Sequence, residues 1–183
     1  MRIRSYTLED LPSVKSLADS TIDPGYYSVA ELEAIYYRSQ KNGYQCTLVL
    51  EDAKHRIRGV RITFPPGHWQ QGKGRGLAPE RWGVAFKDAA YFQSLFIDPS
   101  LTGKGWGPRL SKQAIAILLK LGAKAVVAHS WRESPHDSSR RYLRGLGFSF
   151  VASHPGYWQE VDCVCVRCGE PCECTAEEMI LRL

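Results

Sequence analysis

Two short stretches hold residue types whose spacing can do chemistry. The first is Thr102-Gly103-Lys104-Gly105-Trp106-Gly107, with glycine at every second position. It follows the apolar run Tyr91 to Ile97 and precedes a helical pattern expected to start at Pro108. A pyrophosphate needs several N–H donors converging on it and no Cβ in the way, and glycine permits both. A helix start adds unpaired N–H groups and a partial positive end. Proline suits the first helical position because no N–H is lost there. A P-loop is excluded, because Gly103-Lys104 is followed by Gly105 and not by Ser or Thr. A dinucleotide fold fits poorly: it wants GxGxxG and an acid about 20 residues on, where this chain has Lys120 to Lys124. A plain strand-to-helix turn rarely needs three glycines.

The second stretch runs from Cys163 to Cys174 and holds five of the six cysteines in the pattern C-x-C-x2-C-x3-C-x-C. Cys165-Val166-Arg167-Cys168-Gly169 has the shape of a metal knuckle, two thiolates followed by a glycine that turns the chain. Cys172 and Cys174 complete a tetrahedron, with Cys163 as an alternative ligand. Thiolate sets fit zinc and iron alike, and a structural zinc is the favoured reading. Disulfides are disfavoured by the absence of a secretory signal and by C-x-C pairs too close to bridge. The stretch has one basic residue, Arg167, against Glu160, Asp162, Glu170 and Glu173, so it does not read as a nucleic-acid finger.

The chain around these stretches has 183 residues, 44% hydrophobic and 23% charged, with a formal charge of +5. A four-thiolate zinc site lowers that balance to about +3. No apolar run reaches the roughly 18 residues of a membrane helix, and the first residues lack the apolar core of a signal peptide. The expectation is a cytoplasmic protein with no membrane and no nucleic-acid partner. The basic residues, among them Lys54, Arg58, Arg61, Arg140 and Arg144, are scattered as on a solvated surface. The oligomeric state, a dimer included, stays open.

Periodicity places the elements. Arg2 to Tyr6 alternates as a strand. Thr7 with Asp10 and Ser28 with Glu31 have capping-box spacing, predicting helices to about Ser20 and Ser39. Cys46 to Leu50 and Ile57 to Phe64 read as strands, with Val60, Ile62 and Phe64 on one face. Pro65 to Ala90 is a long irregular connection, of a kind often functional or mobile. Tyr91 to Ile97 reads as a central buried strand. Pro108 to Leu121 is a helix with Leu110, Ala114, Ile117, Leu118 and Leu121 as its apolar stripe and Gly122 as its cap. Ala125 to His129 is a strand, Asp137 to Arg144 a helix, and Phe148 to Ser153 and Glu178 to Leu183 the last strands. One α/β domain over residues 1–183 follows, with a cysteine-rich insert at about 160–175.

From Tyr91 to Phe148 the chain resembles the GNAT family of N-acetyltransferases. The family's Arg/Gln-x-x-Gly-x-Gly/Ala motif lies on Thr102 to Gly107, with Thr102 in place of Arg or Gln. Its Asn-x-x-Ala/Ser segment and closing Tyr-x-x-x-Gly-Phe lie on His136 to Phe148, with Leu143 in place of the tyrosine. Tyr142, one residue earlier, reads as a core aromatic. The resemblance implies an α/β (α+β) acyl-CoA N-acyltransferase fold, a mixed, splayed sheet flanked by helices. It implies acetyl-CoA as cosubstrate, bound at Leu95, Phe96, Ile97, Thr102, Gly103, Lys104, Gly105, Trp106, Gly107 and Ser139. An amine acceptor, small molecule or protein, would attack the thioester directly, entering between Tyr26, Tyr27, the 65–90 segment and the edge of the insert. Candidate bases are Glu133 and His136, with His129 and a water-mediated route through Gln93 beside them. The usual acid has no residue assigned. A non-catalytic acyl-CoA sensor and a zinc-stabilised protein-interaction module on the same fold are the competing readings.

Overall fold

The computed structural model describes residues 1–183. Seven strands form one sheet: β1 (Arg2–Ser5), β4 (Leu48–Glu51), β5 (Ile57–Phe64), β6 (Ala89–Ile97), β7 (Ala125–Trp131), β9 (Ala176–Arg182) and β8 (Ser149–His154), in that spatial order. A separate two-stranded hairpin, β2 (Gln40–Lys41) and β3 (Tyr44–Gln45), was not predicted. Its turn is Asn42-Gly43, both at positive φ, and Asn-Gly is the usual signal for such a hairpin. The helices are α1 (Leu11–Thr21), α2 (Val29–Arg38), α3 (Trp106–Lys120) and α4 (Ser138–Gly145).

The sheet is mixed. Only β6 and β7 run parallel; every other pairing is antiparallel. One face packs on α1 and α2, where Val60, Ile62 and Phe64 meet Val14, Leu17 and Leu32. The other packs on α3, where Leu110, Ala114 and Leu118 meet Phe92 and Val126. The Ser28–Glu31 capping box forms as its spacing predicts: Glu31 N–H donates to Ser28 Oγ at 3.1 Å, and Ser28 N–H to the Glu31 carboxylate at 2.8 Å.

Two boundaries differ in ways that matter to the site. Helix α3 starts at Trp106, not Pro108. Gly105 lies at φ 78°, so the chain turns straight into the helix from a left-handed cap. Pro108 then occupies the third helical position, whose N–H has no intrahelical acceptor in any case. Strand β7 continues past His129 to Trp131, held by β9 alone in that stretch.

The connection between β5 and β6 is ordered and packed. Trp69 and Trp82 are both buried, and Trp69 stacks on Tyr91 and on Phe86, with ring centroids 4.6 Å apart in each pair. The Trp69 indole N–H donates to the Ala89 carbonyl at 2.7 Å. Trp82 donates its indole N–H to Glu178, and Ala78 N–H donates to the same carboxylate at 2.9 Å. Arg182 closes the loop by donating to the Trp82 carbonyl at 3.0 Å.

Candidate active site

Parallel pairing between β6 and β7 covers only four residue pairs, from Ala89 with Ala125 to Phe92 with Ala128. Beyond them β6 stays on β5 as far as Ile97, while β7 follows β9. The strands part at Gln93, where the β5 register slips: Ile62 pairs with Ser94 and Thr63 with Phe92. The β7-facing backbone of residues 93–97 is thereby left without a strand partner. A slot of about 260 Å³ fills the gap.

Three layers of chain line the slot. Gln93, Ser94 and Leu95 come from β6 and His129 and Trp131 from β7. Ile22, Asp23 and Tyr26 come from the turn after α1, and Ser139 from the start of α4. Trp158, Val164, Val166, Cys163 and three of the clustered cysteines come from the segment between β8 and β9. Ser139 Oγ accepts the Trp131 N–H at 3.1 Å, which ties α4 to the slot edge of β7. Tyr27 lies behind this wall. Its hydroxyl is 2.7 Å from Ser94 Oγ and accepts from the Gln93 amide at 2.9 Å. On the far side of Tyr27 a second, polar cavity of about 780 Å³ opens between α2 and residues 67–73 and shares Gln93 with the slot. Thus Tyr26 and the insert edge border the slot, whereas Tyr27 and the 65–90 segment border the neighbouring cavity.

At the C-terminal end of β6 the chain turns over Asp98 and Pro99 into the glycine loop. Gly103 and Gly105 have φ of 76° and 78°, and a Cβ on either would meet no protein atom within 4 Å. Their conformation and their open face are both what a ligand approaching the backbone requires. The N–H groups of Thr102, Lys104 and Arg109 bond to Pro99, Leu101 and Gly105 carbonyls. Those of Gly103, Gly105, Trp106 and Gly107 have no backbone acceptor, so four donors remain at a helix start. Thr102 and Lys104 are exposed, and Arg109 lies over the Trp106 ring at 4.7 Å.

The polar groups on the inner wall form one network. His129 Nε2 is 3.0 Å from the Gly76 carbonyl, which can only accept, so this nitrogen carries the proton. Nδ1 therefore accepts, from Tyr91 at 2.9 Å and Tyr157 at 3.2 Å. Burial, together with the neighbouring His154, pushes the His129 pKa down to about 3. Burial also raises Tyr91 well above the usual phenol range and Tyr157 to about 12. His129 is thus neutral, and the two hydroxyls keep their protons. Behind it, His154 Nε2 lies 2.7 Å from Glu178, a fully buried carboxylate that also accepts from Ala78 and Trp82. Every member of the His129–His154–Glu178 group has a protein partner.

The candidate bases lie elsewhere. Glu133 accepts the Thr175 N–H at 3.0 Å, His136 is exposed on the turn before α4, and neither lines the slot. Leu143 is buried, so no hydroxyl stands at that position of α4. Tyr142 packs against the core as expected, and its hydroxyl lies 2.7 Å from Ser111 Oγ and donates to the Gly107 carbonyl at 3.0 Å.

The cysteines converge. The sulfurs of Cys165, Cys168, Cys172 and Cys174 all lie within 4.8 Å of one another. The Cys165–Cys174, Cys168–Cys172 and Cys168–Cys174 distances are 3.7, 3.8 and 3.6 Å. A tetrahedron with Zn–S bonds of about 2.3 Å has edges of about 3.8 Å. Cys165 and Gly169 pair reciprocally through their backbones, with Gly169 at φ 77°, and Glu173 N–H points at Cys168 Sγ at 3.3 Å. Cys163 stands outside the group of four.

The model of the acetyltransferase (GNAT) family matches residues 20–148. No curated protein sequence matches the chain. Among solved structures, the ribosomal-protein-S18-alanine N-acetyltransferase from Escherichia coli superposes with a TM-score of 0.69 at 16% identity, over 99% of this chain and 92% of that one. yncA from Salmonella typhimurium, solved with its cofactor acetyl-CoA, gives 0.69 at 21% identity over 100% and 94%. A GNAT superfamily phosphinothricin acetyltransferase from Sinorhizobium meliloti in complex with AcCoA gives 0.69 at 19% identity over 100% and 88%. At these identities the likeness establishes a shared fold.

Proposed function

Because the chain belongs to the GNAT acetyltransferase family, we propose that it is an acetyl-CoA-dependent N-acetyltransferase acting on a primary amine. The observation that carries this reading is the pairing of four free N–H donors at Gly103 to Gly107 with the slot that opens where β6 leaves β7. The loop would grip the pyrophosphate. The pantetheine arm would run along the unpaired edge of Leu95, Phe96 and Ile97, and a strand N–H there would polarise the thioester carbonyl. Ser139 borders the same arm from α4. The amine would enter past Tyr26, Trp158 and the insert, and attack directly.

Proton removal does not fall to Glu133 or His136 in this reading, since both lie off the slot. His129 is the slot's one imidazole, but with a pKa of about 3 it cannot store a proton at neutral pH. Its role is to hold the Tyr91 and Tyr157 hydroxyls, and water at Gln93 is left to take the proton. Asp23 is the one carboxylate at the slot and attracts a cationic amine to its mouth.

The sulfur spacing supports a structural zinc held by Cys165, Cys168, Cys172 and Cys174. Bound there, the metal would fix the outer wall of the slot, while Cys163 stays free.

The test is free-thiol release from acetyl-CoA with a panel of primary amines, small molecules and peptide N-termini. Amine-dependent release supports catalysis. Tight acetyl-CoA binding with no release across the panel supports the sensor reading, which the buried Leu143 favours.

A further inference from the structure

Arg61 is the most anomalous charge in the molecule. It sits on β5 opposite Leu95 of β6 and is 3% exposed. Its side-chain partners are the neutral hydroxyls of Ser111 and Tyr142, and it makes no ion pair with a carboxylate. Arg58, three residues earlier on the same strand, shows the ordinary pattern, paired with Asp52 and Asp98. A buried guanidinium without a counter-charge is costly, so a fold that keeps one has a use for it.

What Arg61 touches points to that use. Its Nε donates to Ser111 Oγ at 3.0 Å, its Nη2 reaches the Tyr142 hydroxyl at 3.5 Å, and its plane lies 4.4 Å above the Phe92 ring. Ser111 and Tyr142 are themselves 2.7 Å apart, and Tyr142 donates to the Gly107 carbonyl at 3.0 Å. A continuous chain of hydrogen bonds therefore leads from a buried cation to the first turn of α3. That turn is where the loop's free N–H groups lie. At the front of the loop stands the exposed Thr102, which supplies no cation.

We propose that Arg61 is a positioning residue of the coenzyme site. From between the sheet and α3 it supplies the positive charge, and through Ser111 and Tyr142 the rigidity, with which loop 103–107 holds a pyrophosphate. The missing counter-charge is then the coenzyme's own. This inference rests on the acetyl-CoA reading above.

The experiment is calorimetric titration of the full chain with coenzyme A and with pantetheine, which shares the thiol arm but lacks the pyrophosphate. Wild type, Arg61→Met and Tyr142→Phe are compared, with folding checked by circular dichroism. Arg61→Met is expected to weaken coenzyme A roughly tenfold, through loss of the buried charge and of the bonded support beneath the loop, and to leave pantetheine unchanged. Tyr142→Phe is expected to give a smaller loss with the same selectivity. Unchanged affinity for coenzyme A, or an equal loss for both ligands, overturns the proposal; the equal loss would mean a merely structural role. If Arg61→Met does not fold, Tyr142→Phe decides alone, and absence of the selective loss overturns the proposal. Failure of the wild type to bind coenzyme A would sink the acetyl-CoA reading, and this one with it.

Discussion

At the scale of single residues, Gly105 and His129 make opposite demands on their surroundings. Gly105 is needed for what it lacks. Its φ of 78° costs an L side chain roughly 1–2 kcal/mol, and its open face is where a ligand would sit. Gly122 has nearly the same φ, 76°, and is equally open, but it caps the far end of α3. Gly105→Val and Gly122→Val should therefore lose similar stability, while only Gly105→Val weakens acetyl-CoA, by at least about tenfold. Equal coenzyme affinity in the two folded variants would remove the loop from the site. His129 is defined by what surrounds it. Its folded pKa, about 3, lies below its ordinary value of 6.5, so the unfolded chain takes up the proton first. This contribution is intact above pH 6.5 and is lost as pH falls toward 3, at up to about 1.4 kcal/mol per unit. The stability gap between wild type and His129→Gln should accordingly narrow by about 1.6 kcal/mol between pH 6.5 and pH 5. Denaturant unfolding at the two pH values measures it, and parallel curves would show that His129 titrates normally.

At the scale of elements, what the sequence revealed divides along physical lines. Local signals were readable because local chemistry produces them. The Ser28–Glu31 box, the glycine loop, the Gly122 cap and the knuckle around Gly169 all formed where their spacing put them. Partnerships across the sheet were not readable. Arg61 alternates with Val60 and Ile62 and so looks like the solvated face of a strand, until α3 covers that face. Glu178 looks like any strand acid, and nothing nearby in sequence signals that Ala78 and Trp82, about a hundred residues earlier, come to it. The insert combines both kinds. Its cysteine spacing is local, but its place in the slot wall depends on the whole fold. That place gives a prediction. Cys168 contacts two other thiols and the Glu173 N–H, so Cys168→Ser should cut bound zinc below one per chain, measured by metal analysis. With residues 163–166 released from the slot, the acceptor KM should rise several-fold, about 1 kcal/mol of lost binding, while coenzyme affinity is unchanged. A variant with full metal content, or one that loses coenzyme affinity instead, would take the insert out of the acceptor wall.

At the scale of the molecule, the sheet is two leaves joined by a short seam. One leaf carries β1, β4, β5 and β6 and the other β7, β9 and β8, and the four β6–β7 pairs are the direct backbone link between them. The 65–88 segment is the second link: Trp69 bonds to Ala89 on the first leaf, while Ala78 and Trp82 bond to Glu178 and Arg182 on the second. This staple lets the strands part past Gln93 without the leaves separating, and leaves the edge at 93–97 unpaired until a ligand supplies partners. A pantetheine arm in that gap would therefore act as the missing strand. The coenzyme should stabilise the fold in proportion to its affinity, by about 2.7 kcal/mol at a concentration a hundred times Kd, raising Tm by roughly 5–10 °C for a chain of this size. The same saturation should slow amide exchange in residues 93–97 and in the 103–107 loop, and leave β1 and β4 as they were. Stabilisation with protection confined to another surface would mean that the coenzyme binds outside the seam. The division of labour between slot and loop would then have to be abandoned even if acetyl transfer were observed.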